Sequence, residues 1–326
     1  MFSYRSILKQ AWNISWKNKY LWFFGLFASL AAAGGSIEYK VLTQNLNQNL
    51  VDGSYQHLSG ILAWGEIIKS FCSGLVSLFN YDFVSILNAI TLLLISLTLI
   101  VVFVWLAIVS QAALVDNVKQ IINPKKKTPE FRIRNGLAAG NKYFWSVFGL
   151  NILIKILVST AFFIIGLPLL FMMLNGATVL VVIYTLFFII FVPVAVSLSL
   201  MVKYAIAYNV LENKSFVISL EKGWELFKKN WLISLEIAII LFVVNFLAGI
   251  LLLIIIALFL FPLFLFGAMF GLTWLMILML FLGLIVIILV GSLLTTFQIA
   301  TWTDLFLHLT NKGGEAKLER IFKRKK

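Results

Sequence analysis

Residues 223–231 read Gly223-Trp224-Glu225-Leu226-Phe227-Lys228-Lys229-Asn230-Trp231 and lead straight into an apolar run that reaches Phe261. The pattern is a small residue, five positions and a lysine, with aromatics after the lysine, and it occurs twice more. One copy opens on Ala11 and closes on Lys17, ahead of Tyr20 and Trp22; the other opens on Gly136 and closes on Lys142, ahead of Tyr143, Phe144 and Trp145. Each copy leads into a long apolar run, and several of these runs exceed the roughly 20 residues a helix needs to cross a bilayer core. The runs are continuously apolar rather than alternating, which argues against the strands of a membrane β-barrel.

Composition agrees. Hydrophobic residues make up 62% of the 326 positions and charged residues 12%, where a soluble domain carries about 25% charged residues. The net charge of +13 would suit a nucleic-acid partner, but the cations sit in short segments between apolar runs and no basic domain stands apart. Positive-inside asymmetry explains them without a polyanion. Cys72 is the only cysteine, so the chain can form no internal disulfide and no cysteine-based zinc cluster.

The reading along the chain is all-α: one membrane domain over residues 1–310, then a basic cytoplasmic tail over 311–326. Spans fall near 20–34, 83–116, 144–174, 177–208, 231–261 and 271–309. Ala31 to Ala33 resemble a signal-peptidase site, but the preceding segment is no simple basic leader. Tyr4, Ile7, Leu8, Ala11, Trp12 and Ser15 share one helical face, and Arg5, Lys9, Gln10, Asn13 and Lys17 the other. That pattern predicts a retained amphipathic helix in the membrane interface, anchored by Trp12 and Trp16. A second interfacial helix is expected over 58–80 on the outer face, the alternative being an extra span. Asp82, Thr128 and Ser215 stand where helix N-caps are expected, and Pro262 where the fifth span should end.

With six spans and both termini inside, only Lys40, Lys69 and Lys155 of the 26 Lys and Arg fall outside cytoplasmic segments. An odd number of crossings would place one basic terminus outside, against the positive-inside rule. The result is three inside–out–inside hairpins, over about 1–122, 123–213 and 214–310, each introduced by an interfacial helix. Spans two and four also end alike, with Ala113 four residues before Asn117-Val118 and Ala205 four before Asn209-Val210. These would be parallel repeats about an axis along the membrane normal.

Three stretches resemble a broad group of uncharacterised bacterial membrane proteins, which includes the membrane domain attached to some glycerophosphodiester phosphodiesterases. They are Ala11-Trp12 through Lys17-Asn18-Lys19-Tyr20-Leu21-Trp22 to Phe24-Gly25-Leu26, Asn209-Val210-Leu211-Glu212-Asn213-Lys214-Ser215 through Gly223-Trp224 to Lys228-Lys229-Asn230, and Thr301-Trp302-Thr303-Asp304-Leu305. The resemblance implies a multi-span protein of the bacterial cytoplasmic membrane. The phosphodiesterase catalytic domain has no counterpart in this sequence.

Chemistry is sparse. His57 and His308 are the only histidines and fall on opposite sides of the expected membrane, so they share no site. No phosphate-cradling glycine loop or nucleophile elbow occurs, and neither an enzyme nor a cofactor is expected. The intramembrane polar residues are the candidates, since a charge at a helix centre costs about 2.5–3.5 kcal/mol by insertion scales. Lys155 lies about 16 Å along its helix from Phe144, with Asn151 one turn before it; Glu236 lies about 8 Å past Trp231, with Asn245 deeper. These depths predict a Lys155–Glu236 pair assisted by Asn151. It would line a transport cavity or merely fix helix packing. A second set, Lys125, Lys126, Lys127, Arg132 and Arg134 with Lys323, Arg324, Lys325 and Lys326, is placed to hold anionic lipid headgroups. The function expected is a non-enzymatic membrane protein of envelope or lipid homeostasis. A small-molecule transporter and an assembly scaffold are the alternatives.

Overall fold

The structure, a computed structural model, describes residues 4–33, 83–123, 133–174 and 178–312. The expected interfacial helix over 58–80, the caps at Asp82 and Thr128, and His57, Lys40, Lys69 and Cys72 lie outside the described residues. The helices are α1 (Tyr4–Lys17), α2 (Leu21–Ala33), α3 (Phe83–Ile122), α4 (Ile133–Lys142), α5 (Phe144–Leu174), α6 (Thr178–Glu212), α7 (Phe216–Lys229), α8 (Trp231–Ile255), α9 (Phe261–Met269) and α10 (Thr273–Lys312). No strand occurs among the described residues.

Among the described residues, four segments are long and apolar enough to cross a membrane: Ile90–Ile122, Pro193–Glu212, Trp231–Met269 and Thr273–Asn311. Helix α4 and the Phe144–Thr160 part of α5, bent by 66°, would make a fifth if the two count as one span. Helix α2 has 13 residues, about 20 Å at the α-helical rise, shorter than a bilayer core.

Pro262 does not end the fifth apolar run. The helix continues to Met269 through a π-helical turn at Ile256–Leu260. A proline ring crowds the carbonyl four residues before it, here Leu258, and removes one hydrogen bond. The wider winding of the π turn makes room at that carbonyl. The chain reverses instead at Gly271, whose φ of 68° is a left-handed conformation that favours glycine.

The chain divides into two compact units, 1–29 with 107–157 and 191–326, and 30–106 with 158–190. In the second unit, residues of α3 from Ile90 to Val104 leave large apolar side chains exposed, Leu92 at 67%. Thr91 and Thr98 return their hydroxyls to the carbonyls of Leu87 and Leu94, each at 2.8 Å. That is how an apolar helix hides a polar side chain.

The first unit is built from amphipathic helices docked on the C-terminal ends of long ones. Helix α1 packs on α10 and buries Ile7, Ala11, Ile14 and Ser15. Much of its apolar stripe is therefore covered by protein, while the interfacial anchors Trp12 and Trp16 stay exposed, at 45% and 52%. Trp12 stacks on Trp16 at 5.7 Å and meets Phe297 of α10 edge-on at 5.9 Å. Helix α4 lies on α3, where a Cβ at Gly140 would overlap the carbonyl oxygen of Val109 and one at Gly136 would come 3.0 Å from the Asn117 amide. Helix α7 lies on α6, where a Cβ at Gly223 would stand 2.9 Å from the backbone nitrogen of Ala205. Gly223, the small residue of its copy, and Gly140 on α4 thus let two helices approach almost backbone to backbone.

The aromatic-lysine joint has its own logic. Asn18 and Asn230 each reach back four residues, to the carbonyls of Ile14 (2.9 Å) and Leu226 (3.1 Å), and close the amphipathic helix. Ser215 has the extended backbone of an N-cap but makes no side-chain cap bond. Its neighbour Lys214 instead gives its carbonyl to Asn209 (2.7 Å) and Ser219 (3.3 Å).

Gly140→Val should lower the thermal midpoint of the detergent-solubilised protein by the cost of overpacking, about 1–3 kcal/mol. Gly249→Ala, where a Cβ meets nothing within 4 Å, should leave the midpoint unchanged or slightly raised.

Candidate functional site

The polar residues of the apolar runs pair with amides. Asn151 on α5 donates to the side chain of Gln111 on α3 and to the carbonyl of Val147, both at 2.9 Å. Asn245 on α8 accepts from Gln298 on α10 at 3.0 Å. Lys155 is exposed and Glu236 half-buried. The Asn151 face of α5, which also carries Lys155, is turned to α3, whereas the polar contact of α8 is with α10.

The densest polar arrangement lies elsewhere, at the C-terminal ends of α3, α6 and α10. Ala113, Ala205 and Ala300 are fully buried there, and so, four and five residues on, are Asn117-Val118, Asn209-Val210 and Asp304-Leu305, all 6% exposed or less. Two residues before each alanine stand Gln111, Lys203 and Gln298. The ends of α6 and α10 are stitched by rings: Tyr204 meets Trp302 edge-on at 6.1 Å, and Tyr208 meets Phe306 at 4.8 Å. The Lys203 ammonium lies 4.6 Å from the Trp302 ring centre, within cation–π range. Tyr204 shares a 2.7 Å hydrogen bond with Ser234 of α8. Lys119 of α3 donates to the carbonyl of Leu211 at the end of α6.

The third position differs chemically from the other two. Asn117 donates to the carbonyl of Ala113 at 2.8 Å, and Asn209 to that of Lys214. Asp304 has no proton to donate when ionised, and it is fully buried. The Nδ1 of His308 lies 3.1 Å from its Oδ1, yet the same nitrogen stands 3.0 Å from the Asp304 carbonyl oxygen. No hydrogen bond of acceptable geometry reaches either carboxylate oxygen. Asp304 went unread as a site, although Ala300-x-x-x-Asp304-Leu305 repeats the Ala-x-x-x-Asn-Val endings of α3 and α6.

Of the expected lipid-contact residues, Arg134 is exposed on α4. Lys125, Lys126, Lys127, Arg132, Lys323, Arg324, Lys325 and Lys326 lie outside the described residues. Asn213, left-handed at φ 55° just past α6, accepts from Lys142 (3.1 Å) and from the Tyr143 hydroxyl (2.5 Å). The α4–α5 joint is thereby tied to the loop before α7.

No protein-family model, curated protein or solved structure matches the chain.

Asp304→Asn should raise the thermal midpoint, because an asparagine can donate to Ala300 as Asn117 does to Ala113, and a buried charge is removed. A gain of about 1–3 kcal/mol is the scale of a buried polar group that finds its partner. A fall in stability would mean that the carboxylate already has a partner in the native membrane.

Proposed function

We propose that the chain is a non-enzymatic integral membrane protein acting in lipid or envelope homeostasis. It crosses the bacterial cytoplasmic membrane six times, as three parallel hairpins with both termini inside. One observation carries this reading. Burial concentrates at the C-terminal ends of α3, α6 and α10, where lysines and tryptophans also gather. Along α8, α9 and the first half of α10, by contrast, large apolar side chains lie bare, among them Leu253 at 65%, Phe259 at 66% and Phe281 at 61%. Hydrocarbon is the solvent that such a surface matches, and exposed tryptophans beside lysines match the headgroup level.

The docking pattern supports three repeats. Helix α4 lies on the end of the first hairpin, α7 on the end of the second, and α1 on the end of the third. Each amphipathic helix thus grips the preceding hairpin, and α1 closes the circle.

The transporter reading has less support. Asn151 and Asn245 are engaged by Gln111 and Gln298, which is how polar groups fix helix packing in a membrane.

Topology is tested by cysteine labelling in a Cys72→Ser background. Lys19→Cys and Glu212→Cys should react with an impermeant maleimide only after permeabilisation, and Asn49→Cys and Asn175→Cys in intact cells. Labelling of Glu212→Cys in intact cells would contradict six crossings. The functional reading predicts altered phospholipid composition in a strain lacking the protein, restored by the wild-type chain. An unchanged lipid profile would contradict it.

A further inference from the structure

A cavity of about 380 Å³ opens along α1 beside its buried stripe. Its cations are Lys9 and Lys17, its amides Gln10, Asn13 and Asn18, and its floor is Ile14 with Ile121 from the end of α3. No carboxylate among the described residues lines it. Lys9 and Lys17 are two helical turns apart, about 12 Å along the axis, a span that two lysine side chains can close around one anion. Asn18 is fixed by its own bond to Ile14. The amphipathic helix itself is held against α10, so the donors stand on a rigid support.

The same helix carries a ladder of tryptophans. Trp12 stacks on Trp16, and Trp16 meets Trp22 at 5.9 Å; the Trp22 indole donates to the carbonyl of Ser15 at 2.7 Å. Around α1, Trp12 and Trp16 adjoin Lys9, at 100° per residue. Exposed indoles of this kind seek the headgroup layer, which puts the lysine-lined cavity at the level of lipid phosphates.

We propose that this cavity is a binding site for a phosphate group, that of an anionic phospholipid headgroup in the inner leaflet. The proposal deepens the lipid reading above and rests on it for the placement of α1 at the membrane surface. Lysine binds phosphate as a point charge, the amides donate to the remaining oxygens, and the apolar floor with the lysine stems accommodates the glycerol and the start of an acyl chain. The residues differ from the lysine-rich segments that the sequence alone marks for lipid contact.

The test is native mass spectrometry and affinity measurement on the full chain in nanodiscs. Phosphatidylglycerol and phosphatidylcholine are the two lipid arms, and inorganic phosphate is a third. Lys9→Gln/Lys17→Gln should weaken phosphatidylglycerol binding roughly 30-fold, the product of two surface cations. Lys228→Gln/Lys229→Gln, the same charge change on α7, should leave it within about two-fold, and phosphatidylcholine should not bind specifically. An unchanged thermal midpoint of the Lys9→Gln/Lys17→Gln chain reports that its fold is retained. Equal loss in both variants, or no loss in the first, would overturn the site. Inorganic phosphate that binds and displaces the lipid at millimolar concentration would overturn the lipid as its source. Failure here with an altered lipid profile in the strain lacking the protein would remove the cavity alone; an intact site with an unchanged profile would remove the homeostasis reading alone.

Discussion

The close approach of small residues to the backbone of a neighbouring helix end organises the first unit. Gly140 lies against the Val109 carbonyl, Gly223 against the Ala205 nitrogen, and Gly25 against Ser292 and Thr296. Apolar side chains gain little by leaving lipid for a protein interior, so dispersion at short range and buried hydrogen bonds must hold helices together there. The bonds follow where the backbones meet: Ser292 donates to the carbonyl of Trp22, and Thr296 to that of Leu21 at 3.3 Å. A side chain at any of these glycines would move whole helices apart.

From that packing follows a division of labour along the long helices. Their C-terminal ends behave like a soluble core, with Tyr204, Phe306, Leu114 and Leu305 buried and polar atoms hydrogen-bonded between helices. Beyond those ends, apolar side chains point outward and depend on hydrocarbon for solvation. Basic residues collect beside the packed ends because that is where the chain leaves the apolar layer. One geometry thus supplies the anchor, the charge and the cavity beside α1.

Much of the architecture was legible in the sequence. The small-residue, lysine and aromatic unit marks the amphipathic helices α1, α4 and α7, and the apolar runs mark the long helices. Two features were not. Pro262 reads as a stop, because the compensation is a π turn that no residue in Ile256–Leu260 announces. The protein cover over much of the α1 stripe is the other, because periodicity shows that a face is apolar without saying what covers it. Asp304 was missed for a simpler reason: it replaces the asparagine of the two other helix endings, and the match shows only when Ala300 is aligned with Ala113 and Ala205.

The account turns on α1 closing the circle by docking on α10. With Trp12→Cys and Phe297→Cys combined in the Cys72→Ser chain, a short bismaleimide applied to native membranes measures that contact directly. Efficient intramolecular crosslinking, absent from either single variant, is the result predicted. A chain that stays uncrosslinked while both cysteines react singly would show that α1 does not rest on α10, and the circle of docked helices would be wrong.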